Sequence, residues 1–493
     1  MPDIIAQAAL AAHRFGFGPR PGELRVIASD PRGWVKSQLT PRRSLPPQIA
    51  ALPPAEDDML AFGRWLVGLR LNRGNGQRVE ERAERQGISR EELRQMSIEE
   101  QFVNAFRERA SRAVSARLEA ALTSEAPVHE RLVHFWSNHF TVSAAKPGAV
   151  AMPPSFEKEA IRPHVGGRFA DMLLASTKHP GMIIYLDNWL SVGPHSHAAQ
   201  HPNRARRIPG GGRASDINEN LAREVLELHT LGVDGGYTQR DVQALAAIIT
   251  GWTYERPRLR DLLGNDPGRR TGAEIFEFDE DAHEPGPKTL LNRTYPQTGM
   301  AQGEAALADL ARHPSTARFI ATKLCRHYIA DDPPRAAIAR VERAFVQSDG
   351  DLRITVEAVV DSPEAWSTPF AKFKRPEEYA LSVLRAVNVS ALPPGAGIGA
   401  IAAMGQRIYA APGPDGWPDS ADSWLTADLV MKRIEFAQAL AARVARADVN
   451  PIDIAEACLG PSLSTESRTA ISRAESPTQG LAILFAAPEL QRR

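Results

Sequence analysis

Cysteine is nearly missing from this chain: Cys325 and Cys458 are the only two in 493 residues. Two thiols build neither a disulfide framework nor an all-thiolate zinc site, so they point to no redox compartment and no metal. Cys325, inside the apolar pattern from Ala317 to Ile329, reads as a small buried hydrophobe. Charge of one sign is missing too. The 59 basic residues are balanced by 59 acidic ones, which argues against a general polyanion binder and leaves nucleic acid off the list of expected partners. No stretch approaches the roughly 18 apolar residues of a membrane span. The opening Met1–His13 has no basic start, and Gln7 interrupts its apolar run, so it does not read as a signal peptide. A cytoplasmic protein is the expectation, with export left open. Several catalytic signatures are missing as well: no Gly-x-Ser-x-Gly elbow, no P-loop, no Cys-x-x-Cys. Gly16-Phe17-Gly18 lacks the strand and third glycine of a dinucleotide fingerprint.

What remains is ordinary soluble composition, 43% hydrophobic and 24% charged, on a chain long enough to bury a large core. The periodicity predicts a mainly α fold with one small β element. Residues 4–13 form a first helix. Arg- and Glu-rich residues from about 76 to 122 read as long exposed helices. His179-Pro180 and His313-Pro314 each place proline at a helix start. Thr238 with Asp241 has capping-box spacing, and the short link 232–236 predicts a helical hairpin. Ile275–Phe278 and Lys288–Leu291 flank a polar turn and read as a β-hairpin. Residues 191–215 read as a loop and 392–402 as a linker.

The densest chemistry lies in Asp216–Gly232. Asp216 and Glu219 suggest a capping box, and Gly232 a left-handed stop. Leu221, Val225 and Leu228 form a core stripe, with Asn220, Glu224 and Glu227 on a second stripe expected to face the interior or a pocket. The plainer reading is a surface laced with Glu219–Arg223–Glu227 ion pairs. A second constellation, Glu130-Arg-Leu-Val-His-Phe-Trp-Ser-Asn-His-Phe140, puts Glu130, His134 and Asn138 on one face. It is not an H-E-x-x-H zinc site, because His129 and His134 are one residue too far apart. His139 reads as a hydrogen-bonded core histidine. Facing helices can combine histidine and carboxylates around a divalent metal, and Glu130, His134, Glu224 and His229 are the candidate ligands. Asp279, Asp281 and His283 alternate in a turn, and His195, His197 and His201 share a loop. The basic turn Lys372–Arg375 precedes Pro376 at a helix start and predicts either a bound phosphate or cofactor anion at Lys374 and Arg375, or an internal carboxylate. The internal partner is favoured.

Taken together these segments resemble the bacterial family known as domain of unknown function 1800. The resemblance is carried by His13-Arg-Phe-Gly-Phe-Gly-Pro19, His134-Phe-Trp-Ser-Asn-His139, His179-Pro180…Tyr185-Leu-Asp187 and Asn218-Glu-Asn-Leu-Ala-Arg-Glu224…Glu227-Leu-His-Thr-Leu-Gly232. It continues through Tyr237-Thr…Asp241, Thr250-Gly-Trp252, His283…Gly286-Pro-Lys288, Lys374-Arg-Pro376 and Gly416-Trp-Pro418. It implies one helical domain over 1–493, with sub-regions at 1–122, 123–265, 266–391 and 403–493. It implies no activity, since none is established for the family as a class. Many relatives look exported, and the family often appears beside a second uncharacterised family resembling sulfatases. Two functions follow as expectations. The first is an enzyme with a helix-built polar pocket, in which Glu224, Glu227, His134 and Arg223 would carry metal-assisted hydrolysis of an anionic substrate. The second is a non-catalytic helical protein that binds or escorts a partner, its polar motifs fixing helix packing.

Overall fold

A computed structural model describes residues 2–40, 44–72, 80–81, 83–85, 87–89, 91, 99–201, 216–263, 268–367, 369–392, 397–446 and 448–493. The fold is mainly α. Helices α1 (Pro2–Phe15), α2 (Glu99–Thr123), α3 (Pro127–His139), α4 (Phe169–Lys178) and α5 (Pro180–Tyr185) precede the polar-motif helix α6 (Asn220–Glu224). They are followed by α7 (Gln239–Ile248), α8 (Pro314–Tyr328), α9 (Pro376–Ala386), α10 (Ala427–Val444) and α11 (Pro477–Ala486). The starts of α5 and α8 are built as the sequence implies. Proline sits in the first turn, and the imidazole before it accepts the Gly181 or Ser315 N–H. Thr238 and Asp241 form the expected capping box, and α7 packs back on α6, with Arg223 reaching Gln239 at 3.0 Å. No helix among the described residues is long and apolar enough to cross a membrane.

The polar-motif helix starts later than its spacing suggests. Asp216 accepts from Ile217 and Asn218 from Asn220, so these side chains hold a turn, and α6 opens at Asn220 without a side-chain cap. From Val225 to Thr230 the helix widens into a π-turn, closed by Leu231 N–H to the Leu226 carbonyl at 2.9 Å and stopped by Gly232 at φ 85°. The charged 76–122 region also differs. Much of it lies outside the described residues, but the last turns of α2 are core, with Val114, Leu118, Ala121 and Leu122 buried. The two predicted strands exist with other partners. β1 (Trp252–Tyr254) pairs with β2 (Phe276–Phe278), while β3 (Lys288–Leu290) forms a hairpin with β4 (Arg293–Tyr295). The 392–402 segment is not all linker, since a helix begins at Ile398.

Two large hydrophobic clusters make most of the interior among the described residues. The larger gathers α1, α3, α4, α5, α7 and α8; the smaller gathers the end of α2 with α9, α10 and α11. Buried charge lies where they meet. Arg131 of α3 reaches Glu378 of α9 at 2.9 Å, and Arg117 of α2 reaches Glu377 at 3.0 Å. Charges this deep are tolerable only when paired and hydrogen-bonded.

Candidate functional site

The seam contains a cavity of about 40 Å³, lined by Arg117, His134, Ser137, Asn138, Arg375, Glu377, Gln406, Tyr409 and Trp417 among others. The α3 face that runs through His134, Ser137 and Asn138 forms one wall. The first turn of α9 supplies Arg375 and Glu377. A strap, residues 405–419, closes the third side.

His134 is only 2% exposed, yet neither ring nitrogen makes a hydrogen bond. Its Nδ1 lies 3.5 Å from Glu377 Oε1, and the Phe17 ring packs 5.1 Å away. Burial, with Arg117 and Arg162 adding to it, drives its pKa well below the ordinary histidine value, so the imidazole is neutral. Burial also raises the Glu377 carboxyl, opposed by Arg117 and Arg375. Glu377 is fixed by its backbone N–H donating to Gln406 at 2.9 Å. Two further polar atoms are buried without a partner, Tyr409 Oη and Trp417 Nε1. Arg117 lies over the Tyr409 ring, 5.0 Å from its centre, and its charge is felt at the hydroxyl, but no hydrogen bond of acceptable geometry joins them.

A family described as "Protein of unknown function (DUF1800)" matches residues 10–492. The chain belongs to this family. No curated protein and no solved structure gives a match.

In this DUF1800 chain the four expected metal ligands do not converge. Glu130 is taken by Arg162 in a bidentate pair at 2.9 and 3.1 Å. Arg162 also bonds Glu157, which in turn meets Arg117, so the chain of charges is saturated. The side of α3 that meets the π-turn carries His139 rather than His134: His139 Nε2 donates to the His229 carbonyl at 3.1 Å. His229 is packed against Phe140 and pushed down to about 3 by burial, then by Lys323. Asn220 is exposed, against expectation, whereas Glu224 and Glu227 are half-buried. Glu227 accepts from Tyr237 at 3.2 Å; Glu224 is pushed up to about 7 by burial, then by Glu227. Arg223 is spent on Glu219 and Gln239 near the surface.

Among the described residues, one group of three donors is close enough for a metal: His327, Glu378 and Asp419. Its chemistry fits a latch better. His327 Nδ1 meets Asp419 at 2.6 Å, and its Nε2 accepts from Arg131 Nε at 3.2 Å. Glu378 is held by Arg131, Arg375 and Arg493, and Asp419 by Arg493 and Lys372. A cation there would face four positive side chains and displace bonds already made. The basic turn is resolved the same way. Arg375 pairs with Glu378 three residues on. Lys374 is fully enclosed by the Leu490 carbonyl at 2.8 Å, Ser382 at 2.9 Å and His13 Nδ1 at 3.1 Å. The anion expected at this turn is therefore internal for Arg375, while Lys374 is held by neutral groups. Two of the loop histidines likewise find carboxylates, His195 with Glu284 and His197 with Asp281, while His201 bonds the His197 carbonyl and His283 the Thr250 carbonyl.

Arg117, Glu377, Tyr409 and Trp417 were not legible as site residues. A partial signal existed for two of them. Glu377 follows the basic turn after Pro376, and Gly416-Trp417-Pro418 carries part of the family resemblance.

Proposed function

We propose that the chain is an acid–base enzyme working at the cavity between α3, α9 and the strap. His134 is the base, Glu377 orients the imidazole and stabilises its charged form, and Arg117 with Arg375 favours an anionic substrate group. The reaction class that suits this set is hydrolysis with His134 activating water. The observation that supports it is a neutral histidine left unpartnered on a cavity wall. Unpaired buried polar atoms cost about 1–3 kcal/mol each, and they persist where a function requires them. A metal held by Glu130, His134, Glu224 and His229 has no place in this reading, because Glu130 is taken by Arg162 and the four donors do not come together around one point.

Diethyl pyrocarbonate, which acylates neutral imidazole, tests it. His134 should react faster than His139 and His229, which are equally buried but do not line this cavity. Equal rates at all three would sink the reading.

The escort reading has its own support in the saturated chain Glu130–Arg162–Glu157–Arg117. Such a chain fixes helix packing whether or not chemistry occurs nearby.

A further inference from the structure

Building on the acid–base reading of this cavity, we infer that the group it binds is a small carboxylate, held by the Tyr409 hydroxyl and the Trp417 indole N–H. Three observations converge. First, the atoms left without partners are mostly donors: Tyr409 Oη, Trp417 Nε1 and one nitrogen of His134. Buried donors without acceptors define the complement of an acceptor-rich ligand. Second, the charged groups in the lining are Arg117, Arg375 and Glu377. Arg117 also pairs with Glu157 and Arg375 with Glu378, so the wall carries no surplus of positive charge for a phosphate dianion, and a monoanion held mainly by neutral donors fits better. Third, the space of about 40 Å³ exceeds what one water needs and suits a head group of a few atoms.

The strap is built to present those donors. Tyr409 sits at φ 62°, a left-handed conformation that costs a bulky residue of order 1–3 kcal/mol and recurs at ligand sites. Trp417 is fastened to α3 by a reciprocal pair with Asn138: Trp417 N–H donates to Oδ1 at 2.8 Å, and Asn138 Nδ2 donates to the Trp417 carbonyl at 2.9 Å. Asn138 is thus a positioning residue, turning the indole toward the cavity. Gly416 lets the strap come this close, since a Cβ there would lie 2.5 Å from the Asn138 carbonyl oxygen.

Acetate, its neutral isostere acetamide and inorganic phosphate are the probes, titrated at constant ionic strength with Trp fluorescence and thermal shift as readouts. Acetate should bind saturably, and acetamide and phosphate at least about tenfold more weakly. Tyr409→Phe and Trp417→Phe each remove one donor and should weaken acetate by about tenfold without lowering the melting temperature of the ligand-free protein. The wild-type comparison needs no variant to fold. Non-saturable acetate, equal binding of acetamide, tighter binding of phosphate, or variants that bind acetate as the wild type does each overturn the carboxylate assignment. If acetate binds as described while His134 reacts no faster than His139, the carboxylate site stands and the acid–base reading falls.

Discussion

Glu130 and His134 stand one turn apart on the same helix, and their environments assign them opposite roles. Glu130 is locked to Arg162, so Glu130→Gln leaves a buried guanidinium short of one of its two carboxylates and should cost about 3 kcal/mol in chemical denaturation. His134 has no such bond to lose. His134→Leu should leave stability unchanged or raise it, while removing whatever the cavity does; a loss as large as that of Glu130→Gln would mark His134 as structural. Glu224 titrates on a different principle. Its folded pKa is raised, so its contribution to stability is complete below the unfolded value near 4.5 and is lost as pH rises through about 7. Glu224→Gln should therefore match the wild type at pH 4 and exceed it at pH 8 by about 1–2 kcal/mol, discounted for partial exposure. Equal urea midpoints at both pH values would remove this account. Residue types were readable here, but partners were not. The pattern from Glu130 to His139 announced a polar face, yet Arg162 and Glu377 reach it from 32 and 243 residues away.

Among the elements, the π-turn and the strap explain most of what spacing could not give. A helical stripe assumes a constant turn of 3.6 residues, and the i→i+5 geometry of Val225–Thr230 breaks that register within the motif. Hence His229 ends against Phe140; Asn220 is exposed for another reason, as the first residue of α6. The helix starts at 180, 239 and 314 were legible because a cap is a local device. The strap was invisible, because its role depends on α3 meeting Asn138 to Trp417. Gly416→Ala tests its fit directly. The substitution adds a Cβ at φ 79° and in contact with backbone, so it should cost at least about 2 kcal/mol and abolish acetate binding. Unchanged stability and affinity would show that the strap is not anchored as described.

Across the whole molecule, the latch of His327, Glu378 and Asp419 ties α8, α9 and the strap across both hydrophobic clusters. Burial works against the Asp419 charge, but His327, Lys372 and Arg493 hold its pKa below the ordinary carboxylate value. A depressed folded pKa gives stability that is present above the unfolded value near 3.9 and lost as pH falls further. Asp419→Asn should cost about 3–5 kcal/mol at neutral pH, with the gap to the wild type closing only in strong acid. A gap independent of pH would mean the charge is not what matters. The mainly α class was legible from periodicity. The seam was not, because sequence periodicity describes one element at a time and the seam exists only between elements.

The His13–Cys458 hydrogen bond closes a span of 445 residues, and the bond from Arg385 to Glu23 closes 362. Contacts so distant in sequence are slow to form, because the intervening chain must first be ordered. On the ribosome α1 therefore emerges long before the segments it docks on. Its alanine-rich face, with Ala8, Ala9, Ala11 and Ala12 all buried in the finished fold, shares a cluster with Leu24, Ile27 and Val35 that follow at once, but the bonds of His13 and Glu23 wait until residues 458 and 385 have been made. Docking of α1 on the C-terminal cluster is thus expected to be a late step of folding.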